Sequence, residues 1–400
     1  MHGGLGSAFQ LLDKTLGDNQ DLWLSQPFTC SDLPWSRTHG HLKDALIALN
    51  DKELVQLHNC PQQRLRWFQQ REPELCAALY AFEPESTEPV RPLEVSSFDS
   101  LHIPGRKWQQ VLAFAGALPH RELPHVDWCA GKGHLSRIVQ RNQRQPVHCM
   151  EWDASLVAVG EALAKQQGRD IHYHHHNVLQ PLPAACTDAA QVHIGLHACG
   201  ELHQQLLQQV VSCGAAAVAL SPCCYHKTSA DQYLPLSGAA RKSRLRLNRP
   251  ALHLAVQEAV TARRGERLLR EQERLWRLGF DALQRELRGS DEYLSVPSCK
   301  RELLRQGFPA FCQWAARAKQ ITLPEGIAYD HYLQLGGVRH RDIVRLELLR
   351  QLFTRPLELW LVLDCALYLE EHGYRVTVTQ FCERGVSPRN LLIQGDRDQQ

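Results

Sequence analysis

Between residues 123 and 221, short β-rich runs and helical stretches take turns, with links of only a few residues. No other feature of the chain constrains its fold as strongly. LPHVDWCA (123–130), PVHCMEW (146–152), IHYHHHN (171–177), QVHIGLHA (191–198) and AAAVALS (215–221) read as five strands, and helical stretches follow the first, second and fourth. Parallel strands need a crossover and short links press each helix onto the sheet, so the pattern predicts a doubly wound parallel sheet. The alternation stops at 227 and resumes near 356 with a helix (PLELWLVLDCALYLEEHG) and two strands (YRVTVTQFC and RNLLIQG) joined as a hairpin.

Five parallel strands closed by a helix and a hairpin predict an α/β fold with the Rossmann-like seven-stranded sheet of class I methyltransferases. Three regions are expected: a helical N-terminal region over 1–100, the sheet over 105–226 plus 355–396, and a helical insertion over 227–354. EPESTEPVRP (83–92), rich in Pro and Glu, reads as a linker. No internal repeat is found.

With 400 residues, 44% of them hydrophobic, the chain is large enough to bury a real core. Lys and Arg number 45 against 43 Asp and Glu, so only local charge can point to a partner. The N-terminus has no basic stretch followed by an apolar one. The most apolar run, 360–369, is about half a membrane span and contains Asp364. The expectation is a cytoplasmic protein with no membrane partner, whose fourteen cysteines are reduced thiols.

The first strand runs into Asp127-Trp128-Cys129-Ala130-Gly131-Lys132-Gly133. A cofactor at such a turn needs close approach to the backbone, which glycine permits. An acidic residue followed by three alternate glycines is the usual form; here Cys129 replaces the first glycine. Glu151 ends the second strand 20 residues after Gly131. Its two acceptor oxygens match the vicinal hydroxyls of a ribose, and Trp152 beside it offers a face for an adenine. Asn177 and Val178 end the third strand, where an amide and a backbone group can meet an adenine edge. An ordinary turn-forming Asn and a surface Glu are the plain alternatives. A nicotinamide enzyme shares the glycine turn and the ribose acid, but the closing hairpin and the loop after strand four favour methyl transfer.

Two loops flank the expected crevice: GLHACGEL (195–202) after strand four and SPCCYHK (221–227) after strand five. They bring His197, Cys199, Cys223, Cys224, Tyr225 and His226 to the carboxyl ends of adjacent strands, where ligands of open α/β sheets bind. His197 or His226 can serve as a general base, a cysteine can act covalently, or small side chains can simply let a ligand approach the backbone. Several thiols with a histidine also suit zinc. The spacing matches no standard zinc signature, because Cys223 and Cys224 are adjacent, so no metal is expected. The histidines at 174–176 read as strand surface.

These segments carry a resemblance. DWCAGKGHLSR (127–137), GLHACGEL, Cys223–His226 and LVLDCALYLEEHGY…GVSPRNLLI (361–393) are similar to the methyltransferase-like protein 25 family, over about 105–226 and 356–395. The paired His-x-Cys-Gly and Cys-Cys-x-His loops also look like those of transfer-RNA acceptor-stem 2′-O-methyltransferases. The resemblance implies S-adenosylmethionine as cofactor, held by Asp127, Cys129, Ala130, Gly131, Lys132, Gly133, Glu151, Trp152, Asn177, Val178 and His197, and it leans toward RNA.

Local charge points the same way. Arg241, Lys242, Arg244, Arg246 and Arg249 fall within nine residues, and 239–288 holds thirteen Lys/Arg against six Asp/Glu. A phosphate backbone suits such a stretch. A solvated helix laced with Glu–Arg pairs is the alternative. The expectation is thus an RNA methyltransferase. A methyltransferase for a protein or small molecule, or a non-catalytic module that binds the cofactor or a metal, remain as other classes.

Overall fold

The computed structural model describes residues 4–30, 32–90, 92–96, 98–100, 103–257 and 264–398. Arg91 of the expected linker and residues 258–263 of the basic stretch lie outside the described residues.

The chain divides into two compact units: 1–18 with 77–258 and 354–400, and 19–76 with 259–353. In the first unit, seven strands form one sheet: β1 (His125–Trp128), β2 (Val147–Glu151), β3 (Ile171–His175), β4 (Val192–Cys199), β5 (Ala217–Cys223), β6 (Tyr374–Gln380) and β7 (Leu391–Arg397). Their order is β3-β2-β1-β4-β5-β7-β6. Strands β1 to β5 pair in parallel, and β7 runs antiparallel to both β5 and β6. This is the Rossmann-like seven-stranded sheet anticipated from the alternation. The central strands β1 and β5 are buried along their whole length, whereas the edge strands β3 and β6 alternate or are only partly covered. Burial on both faces explains why the central strands read as unbroken apolar runs.

The longer helices of this unit are α1 (Leu5–Asp18), α2 (Gly105–Ala117), α3 (His134–Gln143), α4 (Ala154–Gln166), α5 (Glu201–Cys213) and α6 (Thr354–Glu370). Tyr173 on β3 reaches between α3 and α4 with its hydroxyl against two glycines. A Cβ on Gly133 would lie 2.1 Å from that oxygen, and one on Gly160 2.2 Å. The last glycine of the turn is therefore required by a tyrosine.

Residues 83–92 differ from the linker expectation. Gln380 N–H on the sheet edge donates to Glu85 O, Thr87 N–H donates to Gln380 O (both 2.8 Å), and Val90 N–H donates to Gly116 O at 2.9 Å. An edge strand presents unpaired backbone groups, and this segment satisfies them.

Helix α6 is buried on all sides, which explains why apolar residues occupy every face of it. Asp364 is buried within it, and its carboxylate accepts from Tyr233 Oη (2.8 Å), Leu236 N–H (2.9 Å) and Ser237 N–H (2.7 Å). It anchors the chain after β5 onto the helix. α1 packs on α6 too, with Asp13 Oδ1 accepting from Trp360 Nε1 at 2.8 Å.

In the second unit, helices Arg264–Arg288 and Tyr329–Leu352 pack closely where Gly279 meets Gly336: a Cβ on Gly336 would lie 2.6 Å from Gly279 N. The two sequence segments of this unit are tied by Arg350 donating to Trp23 O and Arg345 donating to Leu49 O, each at 2.9 Å. Among the described residues no helix is long and apolar enough to cross a membrane.

Replacing Asp364 by Ala strands three buried donors. Unsatisfied buried groups cost about 1–3 kcal/mol each, so a loss of at least ~3 kcal/mol is expected in urea unfolding. A loss below ~1 kcal/mol would refute the anchoring role.

Candidate functional site

At the carboxyl end of β1 the chain turns through Cys129 (φ 57°), Gly131 (φ 59°) and Gly133 (φ 67°) into α3. The turn is thus left-handed at all three alternate positions. A β-carbon there costs about 1–2 kcal/mol, which is why glycine is usual where Cys129 stands. Ala130 N–H donates to Met150 O at 3.1 Å, tying the turn to β2. A Cβ on Gly131 would meet nothing within 4 Å, leaving open space over the turn.

Glu151 fastens the same turn. Its Oε2 accepts from Gly131 N–H and its Oε1 from Asp153 N–H, both at 2.9 Å. Each oxygen keeps a second lone pair. Asn177 Oδ1 accepts from Leu179 N–H at 3.1 Å, an Asx turn that leaves the Nδ2 hydrogens for another acceptor.

A cavity of about 350 Å³ opens here, lined by Cys129, Met150, Glu151, Trp152, His176, Asn177, Val178 and Leu202. Five of these are residues singled out from sequence. Asp127, Ala130, Gly131, Lys132, Gly133 and His197 are not on its wall. Met150, His176 and Leu202 are additions. His176 Nε2 is buried and has no hydrogen-bond partner among the described residues, so this wall offers an unmet polar atom. Only its place one residue before Asn177 could have flagged it. The open space at Gly131, the acidic strand end and the unpaired imidazole suit a polar, ribose-bearing cofactor such as S-adenosylmethionine.

Asp127 is fully buried under the turn, accepting from Ser136 Oγ at 2.5 Å. Burial pushes its carboxyl up to about 7, opposed by the Ser136 bond. It supports the start of α3. Burial, and then Glu151, push the Cys129 thiol up to about 12, so it is no nucleophile at neutral pH.

The loops after β4 and β5 are joined by backbone. Gly200 N–H donates to Cys223 O (3.0 Å), and Glu201 N–H to Lys227 O (3.2 Å). His197 takes a left-handed conformation (φ 74°), and its Nε2 lies 2.7 Å from Gln110 Oε1 on α2. Gln110 spends its own Nε2 on Val386 O at 3.2 Å. With this amide orientation His197 donates from Nε2 and keeps the lone pair on Nδ1. Burial, then Lys107, lower its basicity and keep the ring neutral. Cys199 and Cys223 sulfurs lie 3.2 Å apart, and Cys224 Sγ falls within 4.8 Å of both. Tyr225 is buried beneath the loop, edge-on to His203 with centroids 5.5 Å apart. The His226 ring lies tilted at 54° against His253, with centroids 5.0 Å apart.

All five cations at 241–249 are exposed, and none has a carboxylate partner among the described residues. Leu245 and Leu247 are buried between them, so Arg244 and Arg246 project outward. Arg249 donates to Thr228 O (2.9 Å) and Ser229 O (3.3 Å), holding this segment to the loop after β5. By contrast, two arginines of the helix Arg264–Arg288 are neutralised by helical pairs, Arg277 by Glu273 at 2.7 Å and Arg285 by Asp281 at 2.9 Å. His148 Nδ1 sits 3.1 Å from His174 Nε2, both half-buried on the face that also carries the exposed His172.

Residues 106–231 match a family model described as a methyltransferase domain. Among solved structures, the chain is similar to magnesium protoporphyrin IX methyltransferase from Synechocystis PCC 6803 with bound SAH (16% identity, 32% of this chain and 61% of that one, TM-score 0.24). It is also similar to the 23S rRNA methyltransferase ErmE (15%, 28% and 44%, 0.24) and to M. capricolum TrmK in complex with S-adenosyl-homocysteine (12%, 30% and 52%, 0.24). The chain spans about half the length of the structures it matches. Sheet order and family match together define the class: this is a methyltransferase domain of the class I, S-adenosylmethionine-dependent kind.

Between pH 4 and 7 the folded state holds the Asp127 proton more tightly than the unfolded one, so this group's contribution to stability falls as pH rises through that window. Asp127→Asn should remove that component: the variant's unfolding free energy, relative to the native protein's, should rise from pH 4 to 7. A constant difference would show an unperturbed carboxyl.

Proposed function

We propose that the protein transfers the methyl group of S-adenosylmethionine to RNA. The observation that carries this is the run of five exposed cations at 241–249 without carboxylate partners among the described residues, joined through Arg249 to the loop that borders the reaction face. Lys and Arg side chains without carboxylate partners are available to phosphates, and Arg does so bidentately. The cofactor supplies an electrophilic methyl carbon. Glu151 accepts from its ribose hydroxyls, Trp152 and Val178 flank its adenine, Asn177 donates to the adenine edge, and the Cys129–Gly133 turn faces its amino-acid end. His197, neutral with a lone pair on Nδ1, takes the acceptor's proton, and Gln110 holds its ring. Proximity and alignment supply much of the remaining acceleration.

The resemblance to the methyltransferase-like protein 25 family and to transfer-RNA 2′-O-methyltransferases supports the RNA assignment. Transfer of labelled methyl into extract of cells lacking the protein, divided into RNA, protein and small molecules, tests it. Label in nuclease-sensitive material is expected. Reversing the five charges at 241–249 should abolish that label and flatten the salt dependence of RNA binding by about 0.7 per lost contact to single-stranded phosphate. Label in protein or small molecules instead would overturn the RNA assignment.

Glu151→Ala removes the acceptor of the ribose hydroxyls and the anchor of Gly131. Hydrogen bonds to charged groups contribute about 1.5–3 kcal/mol, so S-adenosylmethionine should bind at least ~10-fold more weakly by calorimetry. Unchanged affinity would place the ribose elsewhere.

A further inference from the structure

Beneath the crevice, three cysteines from two different loops have met. Cys199 ends β4, Cys223 ends β5, and Cys224 follows it. Their sulfurs all lie within 4.8 Å of one another, with Cys199 and Cys223 at 3.2 Å. Adjacent residues of an extended strand point to opposite faces, which is why a neighbouring pair ordinarily cannot share an ion. Here Cys224 is left-handed (φ 48°), and the alternation is broken at that residue. Both sulfurs of the pair therefore reach Cys199.

We propose that Cys199, Cys223 and Cys224 form a zinc site with a fourth position open. Zinc–sulfur bonds of about 2.3 Å in a tetrahedron place sulfurs about 3.8 Å apart, a spacing within the range of this cluster. Cys199 and Cys223 need to separate by roughly half an ångström to reach it. Three thiolates and one Zn²⁺ leave a net charge of −1, which Lys227, three residues beyond Cys224, partly balances. Each thiol that ligates the metal gives up its proton as the metal enters. Three protein ligands with a vacant fourth position is the pattern of a reactive zinc, in contrast to closed four-ligand structural sites.

A second group, His148, His174 and Cys186, also has its ligand atoms within 4.8 Å. It is a poorer site. One imidazole already donates to the lone pair of the other at 3.1 Å, and burial pushes the Cys186 thiol up to about 12. Neither group matches a sequence signature, because the ligands come from separate strands.

The experiment is elemental analysis of the full-length protein purified without chelator or added metal, followed by Co²⁺ replacement. The expected result is one zinc per chain, and a cobalt form with a sulfur-to-cobalt charge-transfer band in the near ultraviolet. Cys224→Ser, the least buried of the three, should lose the metal and the band while circular dichroism stays unchanged. Cys213→Ser, at the opposite end of α5 from Cys199, should keep both. If Cys224→Ser unfolds, the cobalt spectrum of the unaltered protein decides the matter, since three thiolates and two imidazoles with one thiolate give different band intensities. Metal that survives Cys224→Ser but leaves in His174→Ala would overturn the assignment. So would a metal-free protein that binds no Co²⁺, or one two mass units light from a Cys199–Cys223 disulfide.

Discussion

The reaction face depends on a backbone clamp between the ends of β4 and β5. Gly200 and Glu201 N–H groups donate to the carbonyls of Cys223 and Lys227. A Cβ on Gly200 would sit 1.6 Å from Lys227 O, so no other residue permits the approach. Glu201 adds a second tie, accepting from Ser229 N–H at 3.1 Å and Ser229 Oγ at 2.7 Å. With the clamp closed, Cys199 lies against Cys223, His197 is held beside α2, and the chain leaves toward Arg249 and the exposed cations. The thiol cluster and the path of the chain beyond β5 take their positions from that pair of hydrogen bonds.

The clamp comes with strain. Among the described residues five non-glycines have positive φ, and three of them are Cys129, His197 and Cys224, at the ends of β1, β4 and β5. Left-handed conformations in residues with side chains cost about 1–3 kcal/mol each and gather where function requires a particular geometry. The stability that offsets them lies behind the site. Helix α6 is buried on all sides, Asp364 fixes the chain after β5 to it, and Tyr173 fills the gap beside Gly133 and Gly160.

Much of this was visible in the sequence, for a physical reason in each case. Central strands buried on both faces must be apolar, so their runs stand out. The alternation with helices then dictates parallel pairing, and the final hairpin dictates the antiparallel seventh strand. Glu151, Asn177 and Val178 could be named because the carboxyl ends of parallel strands and the residues just beyond them border one crevice in this topology, although Asn177 and Val178 lie past the end of β3 at His175 and do not end it as the sequence suggested. Met150, His176 and Leu202 could not, since lining a cavity depends on side-chain direction rather than on motif. The basic stretch was seen too broadly: charge counting cannot tell Arg277 and Arg285, neutralised by helical neighbours, from the cations at 241–249, which have no carboxylate partners among the described residues.

The sequence by itself determined the seven-stranded class I architecture, the position of the glycine turn and the acidic strand end beside it, because each is written in local periodicity and spacing. Only the tertiary structure decided that residues 85–87 pair with the sheet edge, that 19–76 and 259–353 share one body, and that Cys224 joins Cys199 and Cys223. Those outcomes rest on close approaches between segments far apart in the chain and on one left-handed residue. Backbone hydrogen bonds and φ angles of that kind leave no periodic trace in the residues that make them.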